Sequence, residues 1–135
     1  MKRKKLTASM IALVMSVSLP MTTYAANWYL EDGSVTVNAD NSGQTVTQGG
    51  TSTPDEAPVI TQRESSVETG STITINTSDN ADANVTIKDI NIKSSKDAID
   101  VKGSSSANIT LEGDNKIFSE SGSALHVSDG DVTIT

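Results

Sequence analysis

Four oxygen-bearing side chains fall within one short polar stretch, TSDNADAN, and form the sharpest cluster of ligating groups in the sequence. They are Asp79, Asn80, Asp82 and Asn84. Carboxylate and amide oxygens are the ligands that calcium prefers, so this turn is a candidate calcium site. The stretch lacks the central glycine and distant glutamate of an EF-hand loop, and Asp and Asn also suit turns for backbone reasons alone. Calcium is the only cofactor that the sequence suggests.

A second group of side chains could take part in proton transfer. Asp100 and His126 lie 26 residues apart, which is one period of the strand pattern, and Asp97 stands at the start of the same strand as Asp100. A carboxylate and an imidazole on neighbouring strands could share a proton, and the alternative is a solvated surface pair. His126 is the only histidine, which excludes a site built from several histidines of this chain.

Three lysines that are expected to face outward, Lys93, Lys96 and Lys102, form the one basic patch and could contact an acidic sugar polymer. Scattered, solvated lysines are the simpler interpretation. The candidate carbohydrate-binding residues are therefore Asp100, His126, Lys93 and Lys102. No serine or cysteine nucleophile motif, glycine-rich phosphate loop or zinc spacing is present, so the sequence assigns no catalytic residue and favours a protein that is not an enzyme.

The first 25 residues have the features of a signal peptide. MKRKK is a basic start, LTASMIALVMSVSL is a mostly apolar run, and Thr23 and Ala25 supply the small residues of a cleavage site. A membrane anchor is the alternative, but the run is shorter than the roughly 20 apolar residues of a span and contains Pro20. We therefore expect an exported chain of about 110 residues with no membrane span after cleavage.

Charge and composition narrow the partners of this mature chain. Removing the signal peptide leaves six basic residues against seventeen acidic ones, a net charge near −11. Such a surface repels phosphate backbones, so nucleic acid is not an expected partner.

The chain has no cysteine, and after Tyr29 its only aromatic residue is Phe118. Small β-branched residues therefore carry the core, which suits a thin, regularly stacked structure.

Alternation of apolar and polar residues dominates positions 70–135, as in STITIN, NVTIKDINIK, NITLE and DVTIT. This period of two predicts β-strands, and the intervening Gly, Asn, Asp and Ser predict turns. Two columns of apolar residues recur every 23 to 26 positions: Val35, Val59, Val85, Ile109 and Val132 form the first, and Ile73, Ile99 and Leu125 the second. A fixed period of this length without helices predicts an all-β solenoid, a parallel β-helix.

Stacked coils would place equivalent residues side by side. We expect a threonine ladder (Thr86, Thr110, Thr133), an ion pair of Lys88 with Glu112, and stacked amides of Asn84 and Asn108. About two extra residues near Asp114 would place Ile92 beside Ile117.

The predicted organisation has three parts. Residues 1–25 are the signal peptide, residues 26–56 an N-terminal cap or irregular first coil, and residues 57–135 the incomplete β-helix coils. A linker is the alternative for the Gly-, Ser- and Thr-rich stretch before Val59. Trp28 and Tyr29 are expected to form an apolar lid, with sugar stacking as the alternative. The sequence stops within an alternating strand, which suggests the N-terminal part of a longer protein and self-association through that open edge.

The stretches SVTVNADNSGQTVTQGG, TITINTSDNADANVTIKDINIKSSKDAIDVKG and ANITLEGDNKIFSESGSALHVSDGDVTIT resemble the secreted right-handed β-helix proteins of Gram-positive bacteria known as carbohydrate-binding-domain-containing proteins. The resemblance covers residues 34–135. It implies a right-handed helix, a secreted or cell-surface location, binding of acidic plant-type or neutral polysaccharide, and in some members calcium.

Three functions compete. The first is a non-catalytic polysaccharide-binding module at the cell surface, which the resemblance and the polar ladders favour. The second is a fragment of a β-helix polysaccharide lyase or hydrolase, which would need clustered carboxylates and a basic residue on one face. The third is a structural stalk or an adhesin repeat region, which would need a long array of coils.

Overall fold

The computed structural model describes residues 25–135, and these residues form a mostly β structure with largely parallel sheets. A single 3-10 turn, Leu30–Asp32, is the only helical element among them. The strands are β1 Asn27–Tyr29, β2 Val35–Asp40, β3 Gly43–Gln48, β4 Thr51–Pro54, β5 Val59–Thr61, β6 Ile73–Thr77, β7 Ala83–Lys88, β8 Asn91–Ser94, β9 Ile99–Gly103, β10 Ala107–Glu112, β11 Lys116–Ser119, β12 Leu125–Val127 and β13 Val132–Ile134.

Three sheets are built from strands that are distant in sequence. A five-stranded sheet has the order β1-β5-β7-β10-β13, and every neighbouring pair in it is parallel. A two-stranded parallel sheet joins β8 to β11. A six-stranded sheet has the order β12-β9-β6-β2-β3-β4, parallel from β12 to β2 and antiparallel from β2 through β4. The sequence prediction of parallel strand pairing is thus confirmed.

The core follows from the alternation of side chains along each strand. In β6, for example, Ile73 and Ile75 are fully buried while Thr74 and Asn76 face outward. Complete burial of an isoleucine or valine side chain stabilises the fold by about 1.5–3 kcal/mol relative to exposure. The fully buried isoleucines and valines of the strands and turns are Val35, Val37, Val46, Ile60, Ile73, Ile75, Ile87, Ile90, Ile92, Val101 and Ile109.

Most predicted neighbours in the repeat are confirmed. The second apolar column is correct, since Ile73 pairs with Ile99 and Ile99 with Leu125. Lys88 lies opposite Glu112 with 3.5 Å between the charged groups. Asn108 lies opposite Asn84, and its side-chain amide donates to Asn84 Oδ1 over 3.1 Å. Ile92 lies opposite Ile117 as expected.

The first apolar column is wrong except for Val85 and Ile109. Val35 belongs to the other sheet, where it pairs with Ile73. Val59 pairs with Thr86, so that its neighbour Ile60 is the residue that faces the core. Alternation alone could not decide this, because the two apolar residues are adjacent and a slip of one position exchanges the two faces.

The register of β13 is also shifted by two residues from the prediction. Val132 pairs with Ala107 and Thr133 with Asn108, so Thr133 does not join the ladder of Thr86 and Thr110. Thr135 takes that place, with its hydroxyl 3.5 Å from that of Thr110. A slip of two residues keeps the same side chains inward, so the hydrophobic pattern fits both registers equally well.

The additional residues in the later repeat are divided between two places. The offset between paired residues is 24 at Lys88 and Glu112 but 25 at Asn91 and Lys116, so one residue is added around Asp114. It becomes 26 at Ile99 and Leu125, so a second residue is added before β12. The sequence analysis placed both extra residues near Asp114. That position is correct for the first residue and wrong for the second, which lies between β11 and β12.

The N-terminal segment is more ordered than a linker. The Gly- and Thr-rich stretch forms β3 and β4, which extend the six-stranded sheet by antiparallel pairing. Leu30 is fully buried, and Trp28 is partly buried against the same core. The indole of Trp28 donates to Asp55 Oδ2 over 2.8 Å, which ties β1 to the segment after β4.

The predicted signal peptide lies outside the described residues apart from Ala25. Within residues 25–135, no helix has the length and apolar character needed to cross a membrane.

Candidate functional site

The outward side chains of the six-stranded sheet form two polar columns that cross its strands. We call this surface the polar face. The first column is Thr47, Thr36, Thr74, Asp100 and His126, and the second is Thr45, Asn38, Asn76 and Lys102. Because parallel strands are spaced about 4.8 Å apart, the polar face presents a hydrogen-bonding group at each such step in both columns.

The second column is preordered by its own hydrogen bonds. Asn76 donates from its side-chain amide to Asn38 Oδ1 over 2.8 Å. Each amide group has two donor hydrogens and an oxygen with two lone pairs, so this single bond leaves hydrogen-bonding capacity on both residues. The column can therefore bind hydroxyl groups without first losing much side-chain entropy.

Asp100 is the centre of the first column. Its Oδ1 lies 3.0 Å from His126 Nδ1, and its Oδ2 lies 3.1 Å from the ammonium nitrogen of Lys102. The direct pairing of Asp100 with His126 across β9 and β12 places the two side chains side by side, as their spacing predicts. Lys102 follows on the same outward side of β9, because it is two residues further along the strand.

Asp97 joins this group from the turn before β9. One of its oxygens, Oδ1, accepts a hydrogen bond of 2.7 Å from the backbone N–H of Ser123, and the other, Oδ2, lies 3.6 Å from His126 Nδ1. Gly122 permits this close approach, because a Cβ at that position would lie 2.5 Å from Asp97 Oδ1. The result is a group of two carboxylates, one imidazole and one ammonium at one end of the polar face.

The electrostatics of the group favour its charged forms. The hydrogen bond to Asp100 raises the pKa of His126 above its ordinary value, and the negative charges of Asp97 and Asp100 act in the same direction against partial burial. Burial raises the pKa of Asp100, but hydrogen bonds from His126 and Lys102 outweigh it and leave that pKa lowered. Asp100 is therefore a carboxylate that accepts hydrogen bonds and a poor proton donor.

Lys93 does not reach this group, although the sequence analysis placed it among the carbohydrate-binding residues. It lies on β8 in the two-stranded sheet, with its ammonium nitrogen 3.8 Å from Glu68. Lys96 lies in the turn after β8, where its backbone N–H donates to Ser94 Oγ. The structure therefore brings together Asp100, His126 and Lys102 of the four predicted residues, and adds Asp97.

The four residues of the candidate calcium turn each have a structural role. Asp79 and Asn80 adopt left-handed backbone angles, with φ of 56° and 61°. Asp82 Oδ1 accepts from the backbone N–H of Ser106, and Asn84 accepts from Asn108. Calcium binding at this turn stays a prediction.

A groove on the other large sheet was not indicated by the sequence. It has a volume of about 460 Å³ and lies on the outer side of the five-stranded sheet. The guanidinium of Arg63 stacks 4.1 Å above the ring centre of Tyr29 and forms two hydrogen bonds of 3.0 and 2.7 Å to Asp32. These bonds raise the pKa of Arg63 and lower the pKa of Asp32. The groove is lined by Asn27, Tyr29, Val59, Thr61, Gln62, Arg63, Lys88 and Glu112.

Arg63 and Asp32 lie 31 positions apart and outside the strand repeat, so neither motif nor period could connect them. Because Arg63 already uses its guanidinium on Asp32 and Tyr29, it is a weaker candidate for ligand binding than the polar face.

Comparisons with protein-family models, with curated proteins and with solved structures found no match to this chain. The resemblance to β-helix carbohydrate-binding proteins stays a prediction.

Proposed function

We propose that this chain is a right-handed parallel β-helix that binds polysaccharide, without catalysis, through the polar face of its six-stranded sheet. The proposed helix is supported by parallel strand pairing at offsets of 24 to 26 residues from β6 to β13, with at least one such pair in each of the three sheets. The right-handed sense is the one that parallel crossover connections almost always take. The basic and apolar N-terminal segment supports action outside the cell or at its surface.

The observation that carries the binding proposal is the repeated spacing of polar groups across the face. Neighbouring strands place equivalent side chains about 4.8 Å apart, which is close to the length of one sugar ring. A polysaccharide lying across the strands would therefore meet a similar set of hydroxyl, amide and carboxylate groups at successive sugar units. Asn38, Asn76 and Asp100 supply the acceptors, and the amides and Lys102 supply donors.

The charges favour a neutral polymer. The two basic groups at this end of the face, Lys102 and His126, are already paired with Asp100 at 3.1 and 3.0 Å, and so have little positive charge free for an acidic polymer. The rest of the mature chain is strongly acidic, so an acidic polymer would be repelled at low ionic strength. A hydroxyl-rich neutral polysaccharide is the class of ligand that this surface suits best.

Asparagines on the two large sheets provide a matched test. Asn76 and Asn108 each lie outward in a parallel strand and each donate to an asparagine on the neighbouring strand, but only Asn76 is on the polar face. The full chain and its Asn76→Ala and Asn108→Ala variants are mixed with insoluble neutral and acidic polysaccharides, and the unbound protein is measured. We expect retention on a neutral polymer that Asn76→Ala weakens about tenfold, the effect of losing one or two hydrogen bonds, while Asn108→Ala leaves it unchanged.

Two results would contradict the proposal. Failure of the unaltered chain to bind any polysaccharide would reject the function. Equal loss in both variants, or loss in Asn108→Ala alone, would reject the polar face as the binding surface.

A further inference from the structure

The geometry points to a metal-ion site formed by Asp97, Asp100 and His126 at the end of the polar face. The ion that this site would bind is Zn²⁺. This inference goes beyond polysaccharide binding and does not rest on it. One oxygen from each carboxylate and one ring nitrogen of His126 all lie within 4.8 Å of one another.

Two of the three distances between the donor atoms are close to what zinc requires. Zinc bonds nitrogen and oxygen at 2.0–2.2 Å, so two ligands of a tetrahedral ion are separated by about 3.3 Å. The separation between His126 Nδ1 and Asp100 Oδ1 is 3.0 Å, and that between Nδ1 and Asp97 Oδ2 is 3.6 Å. The two carboxylate oxygens lie within 4.8 Å of each other, so binding of an ion would draw these side chains together around it.

Both carboxylates are held so that one oxygen is already used and the other points at the imidazole. Asp97 Oδ1 accepts from the backbone N–H of Ser123 at 2.7 Å, which leaves Oδ2 toward His126. Asp100 Oδ2 is held by Lys102, which leaves Oδ1 toward the same nitrogen. Outer hydrogen bonds that orient the ligating carboxylates are a common feature of protein metal sites.

Access and ligand type favour zinc over calcium. The side chains of Asp97, Asp100 and His126 are 32%, 21% and 45% exposed, so water can complete the coordination. An imidazole nitrogen suits zinc, cobalt and nickel, whereas calcium takes six to eight oxygen ligands. Three protein ligands with open positions for water is an arrangement that zinc accepts.

Two positive charges oppose zinc binding: the proton on His126 and the ammonium group of Lys102. The proton on His126 Nδ1 must leave before the ion can bind, so zinc affinity should fall as the pH falls. The groups that face the imidazole are Asp97 and Asp100, with Lys102 beyond Asp100. The ammonium of Lys102 repels the ion but also orients Asp100, so its two effects on zinc binding oppose each other.

The experiment is a calorimetric titration of the full chain with Zn²⁺ and with Ca²⁺ at neutral pH, together with Co²⁺ absorption in the visible range. We expect one Zn²⁺ per chain and a cobalt spectrum of low coordination number. His126→Asn should weaken zinc binding at least about tenfold, the effect of losing one ligand or an outer partner.

A pair of charge-matched variants separates a site from general attraction to an acidic protein. Asp100→Asn removes a ligand, whereas Glu112→Gln removes the same charge from the outer side of the five-stranded sheet. Binding lost only in Asp100→Asn supports the site. Absence of zinc binding at about 1 mM, unchanged binding in His126→Asn, or Ca²⁺ binding as tight as Zn²⁺ would overturn it. The polysaccharide test uses Asn76, so failure of either proposal leaves the other testable.

Discussion

Gln44 uses its side chain to form with Asn84 the two hydrogen bonds that a neighbouring strand would form with its backbone. Its Oε1 accepts from the backbone N–H of Asn84 over 2.8 Å, and its Nε2 donates to the backbone carbonyl of Asn84 over 3.0 Å. The same Nε2 donates to the carbonyl of Asp55, also over 3.0 Å. This bridge is needed because β5 first pairs with β7 at Thr86, which leaves the start of β7 without a strand on that side.

Replacing Gln44 by methionine keeps most of its volume and removes these three bonds. Gln44 and Asp55 are both only 2% exposed, so the substitution would leave the buried carbonyl of Asp55 without this partner, and the partly buried backbone groups of Asn84 would lose theirs as well. An unsatisfied buried polar group costs about 1–3 kcal/mol, and we expect Gln44→Met to lower the free energy of unfolding by about 2–4 kcal/mol. Urea denaturation measures it. Thr45→Val, one residue further and outward, is the control and should change stability by less than about 0.5 kcal/mol. A similar small effect for both would contradict the role of Gln44.

A second prediction concerns two glycines with nearly the same backbone angle and different surroundings. Gly103 has φ of 112° and Gly33 has φ of 122°. A Cβ on Gly103 would lie 1.8 Å from the carbonyl oxygen of Thr77, whereas a Cβ on Gly33 would meet nothing within 4 Å. Both substitutions to alanine incur backbone strain of about 1–3 kcal/mol, but only Gly103→Ala also forces two backbones apart.

We therefore expect Gly103→Ala to lower the free energy of unfolding by at least about 2 kcal/mol more than Gly33→Ala, in the range of overpacked sites. Thermal unfolding followed by circular dichroism measures the difference. Equal losses in the two variants would show that strain alone acts at Gly103, and that β6 and β9 are further apart than described.

The contacts of His126 predict a pH-dependent contribution to stability. Asp100 and Asp97 raise the pKa of His126, so the stabilisation from its protonated form is complete below the ordinary value of 6.5 and is lost as the pH rises through the raised value. Because hydrogen bonds lower the pKa of Asp100, its stabilisation is present above the ordinary value of 3.8 and is lost as the pH falls through the lowered value. The pair is thus most stabilising between about pH 4 and about pH 6.5.

His126→Asn should therefore destabilise the chain more at about pH 5.5 than at about pH 8.5. Urea denaturation at both pH values, without added metal, measures the two losses. Thr74→Ala lies in the same column and has no titrating group, so its effect should not depend on pH. An equal loss at both pH values for His126→Asn would mean that the charged pair adds nothing to stability.

The residues of the polar face show which part of the site can be predicted from sequence. The strands β6, β9 and β12 keep an offset of 26 residues, so the period alone places Asp100 beside His126. Asp97 reaches the imidazole from a turn, and its position depends on the bond from Ser123 and on the space left by Gly122. Such contacts depend on loop geometry, which the period of the strands does not describe. The bridge from Gln44 to Asn84 joins residues 40 positions apart, so the period of the strands could not predict it either.

The strand register could be predicted from sequence more accurately for the six-stranded sheet than for the five-stranded sheet. The six-stranded sheet is predicted correctly at Ile73, Ile99 and Leu125 because both intervals between these residues are 26 positions long, although the individual turns within them differ in length. In the five-stranded sheet the offsets vary, and both Val132 and Ile134 lie on one side of β13 and suit the position beside Ile109. The hydrophobic pattern determines which side faces the core, but it cannot distinguish registers that are two residues apart.

Disulfide formation can distinguish these two registers directly. The structure pairs Thr133 with Asn108, whereas the sequence pattern pairs Thr133 with Thr110. Directly opposite residues on neighbouring strands have Cα atoms about 4.8 Å apart, but a displacement of two residues increases the separation to about 8 Å. Two cysteines bridge only when their Cα atoms lie within about 7 Å. The chain has no cysteine, so introduced thiols can react only with each other within one molecule.

We therefore expect the double variant Asn108→Cys with Thr133→Cys to form a disulfide under mild oxidation, and the double variant Thr110→Cys with Thr133→Cys to form far less. Mass spectrometry of alkylated protein measures the remaining free thiols. Closing a loop of this length stabilises the fold by about 3 kcal/mol in the chain-entropy model, if the bond is unstrained. Reduction should remove that gain in the first variant only. Faster oxidation of the second variant would show that β13 lies two residues from the described register, and that Val132 packs beside Ile109.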